Sequence, residues 1–273
     1  MISEAQQKNL VRDRFTRTAE VFGAYAVAER AREAQRLAGM LSLRGDEKAA
    51  DIACGPGTLA LPFAQRVRWI CGVDFTPAMI ERARRSAQAG GIANVGFALG
   101  DAHALPFADR SLDVVVTSYS LHHMADAPRV LAEMARVVRR GGRMGVIDIR
   151  ALENAEGAEM ANRIERLRDP SHTRALSGSE IERLFAAHGL RILAVEIEEH
   201  PRSFNHWLSV AGWKPGDPAY EETRRLMEST IENDAAGFHP RYGTPDAAGV
   251  GEPGRADLQM VNTVLYVAAE KAA

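Results

Sequence analysis

Three carboxylates stand at the ends of three successive short apolar runs. Asp51 precedes the turn Cys54-Gly55-Pro56-Gly57-Thr58, Asp74 closes Ile70 to Val73, and Asp101 follows Leu99-Gly100. Glycine admits backbone angles and an approach distance that a Cβ obstructs, so Gly55 and Gly57 let a ligand lie directly on the chain. A dinucleotide turn uses three glycines and a helix N-terminus to hold a pyrophosphate. Here the turn has two glycines, in the order Gly-Pro-Gly, with a carboxylate upstream. Asp51 would repel a diphosphate and suits a cation such as a sulfonium or ammonium, directly or through water. Asp74 is placed to accept from both hydroxyls of a ribose. Asp101 is placed to accept from an adenine amino group, with Phe75 and Met79 able to pack on the base. A helix cap at Thr76-Pro77 is the plainer role for Asp74, and a solvated turn the plainer role for Asp101. The three together favour a nucleoside.

A second set of residues could handle a reaction partner. His122 and His123 follow the fourth apolar run, and a neutral imidazole there could take a proton from a phenol, an enol or a carbon acid. The same pair could serve only as structure at the turn. Tyr25, Tyr119, Arg150, His172, His206 and Trp207 are further candidates for substrate contact. Arg150 and Arg174 could hold an anion, although an arginine is more often a solvated surface group.

These residues need a scaffold, and the periodicity supplies one. Short strands are expected at 49–53, 67–73, 95–99, 112–117 and 143–149, with helices at 59–64, 77–89 and 127–138 between them. Such alternation demands a parallel sheet covered on both faces, with ligands at the carboxyl ends of its strands. Residues 4–41 read as helix with a break or bend near Gly23. A charged helix through Leu167, a turn at Asp169-Pro170, a helix capped by Ser177 or Ser179 and a strand at 190–198 follow. About sixty residues, rich in aromatics between Trp207 and Phe238, then separate that strand from the last one at 258–268. A connection so long carries helices of its own and often shapes a binding site. Its tail, GTPDAAGVGEPG, reads as a turning loop.

Composition narrows the class. With 34 basic against 36 acidic side chains, the net charge of -2 argues against a dedicated nucleic-acid surface. MISEAQQKNLVRDRF lacks the apolar core of a signal peptide, and no apolar run reaches the roughly 18 residues of a membrane span, so a cytoplasmic location is expected. Cys54 and Cys71 have no partner at metal spacing and read as small buried thiols, with no metal site expected.

The segments DIACGPGTLALPFA, GVDFTPAMIERAR, GDAHALPFADRSLDVVVTSYSLHHMADAPRVLAEMARVVRRGGRMGVIDI and SGSEIERLFAAHGL resemble the class I S-adenosylmethionine-dependent methyltransferases. Within them the sequence is similar to the group holding ubiquinone/menaquinone biosynthesis C-methyltransferases and many natural-product enzymes. The likeness is specific from about 48 to 150 and looser to 200. It implies an α/β fold with a Rossmann-like seven-stranded sheet, N-terminal helices and a helical insertion before the last strand. It implies S-adenosyl-L-methionine as cofactor, with Asp51, Gly55 and Gly57 at its methionine moiety and Ala53 also among its contacts. Asp74 then binds ribose, Asp101 and Ala102 meet adenine, and Ser118 to Leu121 border methionine and substrate. The usual Pro-Gly-Gly before the fifth strand is Arg140-Gly141-Gly142 here, a change in a turn that should leave the cofactor site intact.

The expected organisation is an N-terminal helical lid (1–45), the cofactor-binding core (46–200), a helical insertion covering the substrate (201–256) and a final core strand (257–273). The expected activity is methyl transfer to oxygen or carbon of a small phenolic, quinone-like or natural-product acceptor. Transfer to nitrogen and a non-catalytic cofactor-binding protein are the alternatives. A nicotinamide oxidoreductase is disfavoured by the missing third glycine. Thr117-Ser118-Tyr119-Ser120 stands where base-modifying enzymes carry Pro-Pro-Tyr, which disfavours a nucleic-acid substrate. An apolar face on 4–41 could form a homodimer surface.

Overall fold

A computed structural model describes residues 3–243 and 257–272; the side chains of 18–29, and with them the candidate Tyr25, lie outside the described residues. The loop expected after Gly243 lies outside them as well.

Helix α1 spans Glu4–Met40. Ser3 opens it with a capping box: its hydroxyl accepts from the Gln6 N–H at 3.2 Å, and Gln6 Oε1 accepts from the Ser3 N–H at 2.8 Å. The helix is continuous, which rules out the break, one of the two forms expected near Gly23. One interior glycine costs about 1 kcal/mol relative to alanine, too little to interrupt a long helix that packs elsewhere. Leu37 and Leu41 supply part of that packing: they lie so close over Gly145 that a Cβ there would come within 3.0 Å of Leu37.

The strands are β1 (Lys48–Ile52), β2 (Trp69–Asp74), β3 (Val95–Leu99), β4 (Leu112–Ser118), β5 (Val138–Ala151), β6 (Leu176–Ser177), β7 (Leu190–Ser203), β8 (Arg241–Gly243) and β9 (Asp257–Lys271). Their order is β3-β2-β1-β4-β5-β9-β7, with β6 on β5 and β8 on β9. The two short strands raise the expected seven to nine among the described residues. The pairs β1/β2, β2/β3, β1/β4 and β4/β5 are parallel. Helices α2 (Ala60–Ala64), α3 (Pro77–Ala89) and α4 (Ala127–Val137) connect these strands. The β1 to β4 strands and these helices match the expected elements to within about two residues. Strand β5 begins earlier than expected because Arg139 to Gly142 form a bulge opposite Leu112 to Val114. Gly141 has φ +65, and a Cβ on Gly142 would meet the Asp113 carbonyl at 2.8 Å.

The chain divides into two compact units. The first comprises Met1–Asp148, Glu180–Glu196 and Leu265–Ala273. The second comprises Ile149–Ser179 and Ile197–Val264. The second contains α5 (Ala155–Arg168), α7 (Phe204–Val210) and α8 (Pro218–Glu228), so the long connection does carry helices. Phe204, Trp207, Tyr220, Met227 and Phe238 form its apolar core, and Trp213 donates its indole N–H to the Arg168 carbonyl at 2.7 Å. Helix α6 (Gly178–Ala187) belongs largely to the first unit and stops before Gly189, whose φ is +71.

Candidate active site

At the carboxyl ends of β1, β2 and β4, the first unit holds a cleft with about 1010 Å³ of empty space. Its floor is shaped by the backbone. Ala53 (φ +55) after β1 and Tyr119 (φ +49) after β4 both take the left-handed conformation that residues with a Cβ rarely adopt. Gly55 has φ +53, and a Cβ there would stand in open space. The missing side chain therefore leaves the backbone open to whatever occupies the cleft. Gly57 (φ +85) does not line the cleft; it turns the chain under Leu61 and Phe97, which a Cβ would meet at 3.1 and 3.3 Å.

Asp74 lies on the cleft wall. Its Oδ2 accepts from the Gly55 N–H at 2.9 Å and its Oδ1 from the Thr76 N–H at 2.8 Å. The Thr76 hydroxyl and the Phe75 amide act on the same carboxylate. Burial pushes its carboxyl up, and the Thr76 and Gly55 amides pull it back. Asp51 sits behind the wall, fully buried, with no hydrogen-bond partner for either oxygen. Burial pushes its carboxyl well up; the Ala60 amide, too loosely placed to count as a hydrogen bond, opposes this, and the Asp74 charge adds to it.

Phe75, Met79, Asp101, Ala102 and His103 continue the lining. Asp101 accepts from Lys8 Nζ at 2.7 Å and from the backbone N–H and Nδ1 of His103, each at 2.9 Å. Burial would raise its carboxyl, yet Lys8 and His103 hold it down at about 2. Glu4, Asp101 and His103 bring ligand atoms within 4.8 Å of one another, but the Lys8 ammonium is bonded to both carboxylates.

Ser118, Tyr119 and His123 line the opposite side. Thr117 ties the strand end down, donating to the Ile52 carbonyl at 2.7 Å and pairing with Ser120 at 2.5 Å. Tyr119 donates to Glu33 Oε1 at 2.7 Å, beneath an Arg30 guanidinium 3.5 Å from its ring centre. Burial pushes the Tyr119 phenol well up, so it stays protonated at neutral pH.

The two histidines part company. His123 meets the Phe15 ring edge-on at 5.1 Å and lines the cleft. His122 does not line it; its Nδ1 lies 2.5 Å from Asp148, which also accepts from the Leu121 N–H at 2.8 Å. An ionised Asp148 accepts only, so Nδ1 carries the proton.

The structure thus brings ten sequence-derived candidates to one cleft: Ala53, Gly55, Asp74, Phe75, Met79, Asp101, Ala102, Ser118, Tyr119 and His123. Asp51, Gly57 and His122 are set behind its surface. Arg150, His172, His206 and Trp207 belong to the second unit, where Trp207 is core and His172 Nε2 bonds Asn162 at 2.8 Å. Missed from sequence were the α1 residues Gln7, Lys8, Val11 and Arg30, which line the cleft together with Phe15, an aromatic that favours a lid in the sequence. Asp148 was missed too, though as an acidic residue near a strand's carboxyl end it carried the same signal as Asp51 and Asp74. Both cysteines are buried, and burial raises both thiols, as expected of inert groups.

Comparison with known proteins agrees with this geometry. Residues 49–142 match the family described as "Methyltransferase domain". The uncharacterized methyltransferase YcgJ of Bacillus subtilis is 32% identical over 222 residues, covering 81% of this chain and 86% of that protein. The crystal structure of YcgJ superposes with a TM-score of 0.79 at 27% identity, over 88% of this chain and 98% of the other. The 27-O-demethylrifamycin SV methyltransferase of Amycolatopsis mediterranei is 38% identical over 126 residues, 45% of this chain and 46% of its own. The chain belongs to the class I S-adenosylmethionine-dependent methyltransferases. It is an enzyme of that class, with S-adenosylmethionine as its cofactor. No helix among the described residues is long and apolar enough to cross a membrane.

Proposed function

We propose that the protein methylates oxygen or carbon of a small organic acceptor, phenolic or quinone-like. The observation that carries this reading is the single cleft in which the nucleoside-type groups Asp74 and Asp101 share a wall with an imidazole, His123. Bound S-adenosylmethionine supplies an electrophilic methyl group on a cationic sulfur. Asp74 would hold the ribose hydroxyls, Asp101 and Ala102 the adenine, with Phe75 and Met79 on the base. The bare backbone at Ala53 and Gly55 and the side chain of Ser118 would take the methionine moiety. A sulfonium in front of the buried Asp51 would draw its carboxyl back towards the ionised form, so that pairing of charges would arise only with the cofactor in place.

His123 is the group suited to take the acceptor's proton, because its imidazole lines the cleft. His122 and Asp148 would position the turn that carries it. Tyr119, whose one O–H is given to Glu33, would accept from the substrate rather than donate to it. Helix α1 supplies five lining residues among its described side chains, which supports its role as a cover within 1–45. The name of the rifamycin relative is in line with transfer to oxygen. Mass spectrometry and NMR of products from phenols, quinols, active-methylene compounds and amines, each given methyl-labelled cofactor, test the reading. Label on oxygen or carbon is expected. Label on nitrogen alone would overturn it.

A further inference from the structure

The second unit has a cavity of its own, with about 480 Å³ of empty space, that no cofactor contact accounts for. Its walls are small and apolar: Ala151, Ala161, Ala175 and Ala236, closed by Leu152 and Phe238. Its polar groups are Arg150, Asn162, Glu165, Asn262 and Thr263.

What those polar groups leave unspent defines the ligand. Asn162, 6% exposed, accepts through Oδ1 from the Ala175 N–H at 2.8 Å. A backbone N–H can only donate, so this contact fixes which end of the amide is oxygen. His172 Nε2 bonds the same oxygen at 2.8 Å and must carry the proton. Both acceptor positions of Asn162 are taken, and its NH₂ is left for the cavity. The side chain of Asn262, 7% exposed, has no hydrogen-bond partner among the described residues. Arg150 has none either: its Nε is buried without a partner, and its only ion-pair contact, to Glu153, is 3.8 Å long. Glu165 is already engaged by Arg168 at 3.2 Å. Buried donors are rarely left without acceptors, because an unmade hydrogen bond costs the full desolvation of the group.

We propose that this cavity binds the carboxylate of a single-ring aromatic acid. A planar guanidinium and amide N–H groups match a carboxylate's two oxygens, and the alanine, leucine and phenylalanine walls match one ring. The inference goes beyond the small-molecule reading above: it assigns the second unit a ligand site of its own, whatever the acceptor of the first unit's cleft.

The test is calorimetric titration of the full-length protein with 4-hydroxybenzoate and with its methyl ester. Saturable binding of the acid is expected, with the ester at least about tenfold weaker. Arg150→Gln should remove that preference by weakening the acid about tenfold while leaving the ester unchanged. Ala161→Leu, which fills the cavity without touching the charged groups, should weaken both and stands in if Arg150→Gln does not fold. Equal affinity for acid and ester, acid binding unaltered in the variants, or no saturable binding at millimolar ligand overturns the site and leaves water as its occupant. Methylation of neutral acceptors without acid binding would sink this site alone. Acid binding at this site without methylation of any acceptor would sink the functional reading alone.

Discussion

Replacing Asp51 by Asn should make the cofactor-free protein more stable. The carboxyl is fully buried, neither oxygen has a hydrogen-bond partner, and burial pushes its protonation up, with the Asp74 charge adding to the effect. The native state must either bury an unpaired charge or hold a proton that water would remove. The second option limits the cost. Between the ordinary value of 3.8 and pH 7, keeping the proton costs at most about 4 kcal/mol, at about 1.4 kcal/mol per pH unit. An asparagine escapes that cost but leaves its own amide unsatisfied, at about 1–3 kcal/mol. The net gain expected at pH 7 is therefore about 2 kcal/mol. The sign of the pH dependence follows from the raised pKa. The folded state binds more protons than the unfolded one, so the wild type gains stability as pH falls, and the advantage of the variant shrinks from pH 7 towards pH 4. Urea unfolding followed by circular dichroism at pH 7, 6 and 5 measures both quantities. A variant less stable than wild type at pH 7, or a gap that widens on acidification, would refute the reasoning. The same substitution should weaken S-adenosylmethionine binding about tenfold, a trade of stability for function.

Asp148→Asn should lower turnover about tenfold while changing cofactor affinity less than about threefold, because Asp148 holds Leu121 and His122 rather than lining the cleft. Turnover and calorimetry on one preparation check this, and an equal loss in both would contradict it. Lys8→Met should raise the Asp101 carboxyl from about 2 towards its ordinary value, visible in a carbon-13 NMR titration. A depressed carboxylate stabilises the fold above its unfolded pKa, so this contribution is lost as pH falls from about 4 to about 2. Both side chains are partly exposed, and solvent screening keeps the effect under about 1 kcal/mol. An Asp101 titration unmoved by the substitution would show that His103 alone holds it.

The central strands and the turn at Gly55 were legible because apolar runs of strand length alternate with helical periods, and because positive φ favours glycine. Ala53 and Tyr119 adopt the same conformation without glycine, so no residue type announced them. The half of the cleft lined by Asp74 and Asp101 was readable from acidic residues at strand ends. The α1 half was not, since Lys8 meets Asp101 across 93 residues and Tyr119 meets Glu33 across 86. Local pattern says nothing about such pairings. Trp207 shows the same limit: its aromatic neighbourhood fitted a cover or a local core equally, and burial against Phe204 and Phe238 makes it core. His122 and His123 are adjacent in sequence, yet the turn after β4 sends one to Asp148 and the other to the cleft.

The most direct measurement is calorimetric titration of S-adenosylmethionine into the wild type and Asp74→Ala, with circular dichroism verifying that the variant keeps its fold. Asp74 ends β2 and lines the cleft wall. The account predicts one cofactor per chain for the wild type and at least about tenfold weaker binding for the variant. A folded Asp74→Ala protein that binds the cofactor as tightly as the wild type would place the cofactor elsewhere and contradict the account.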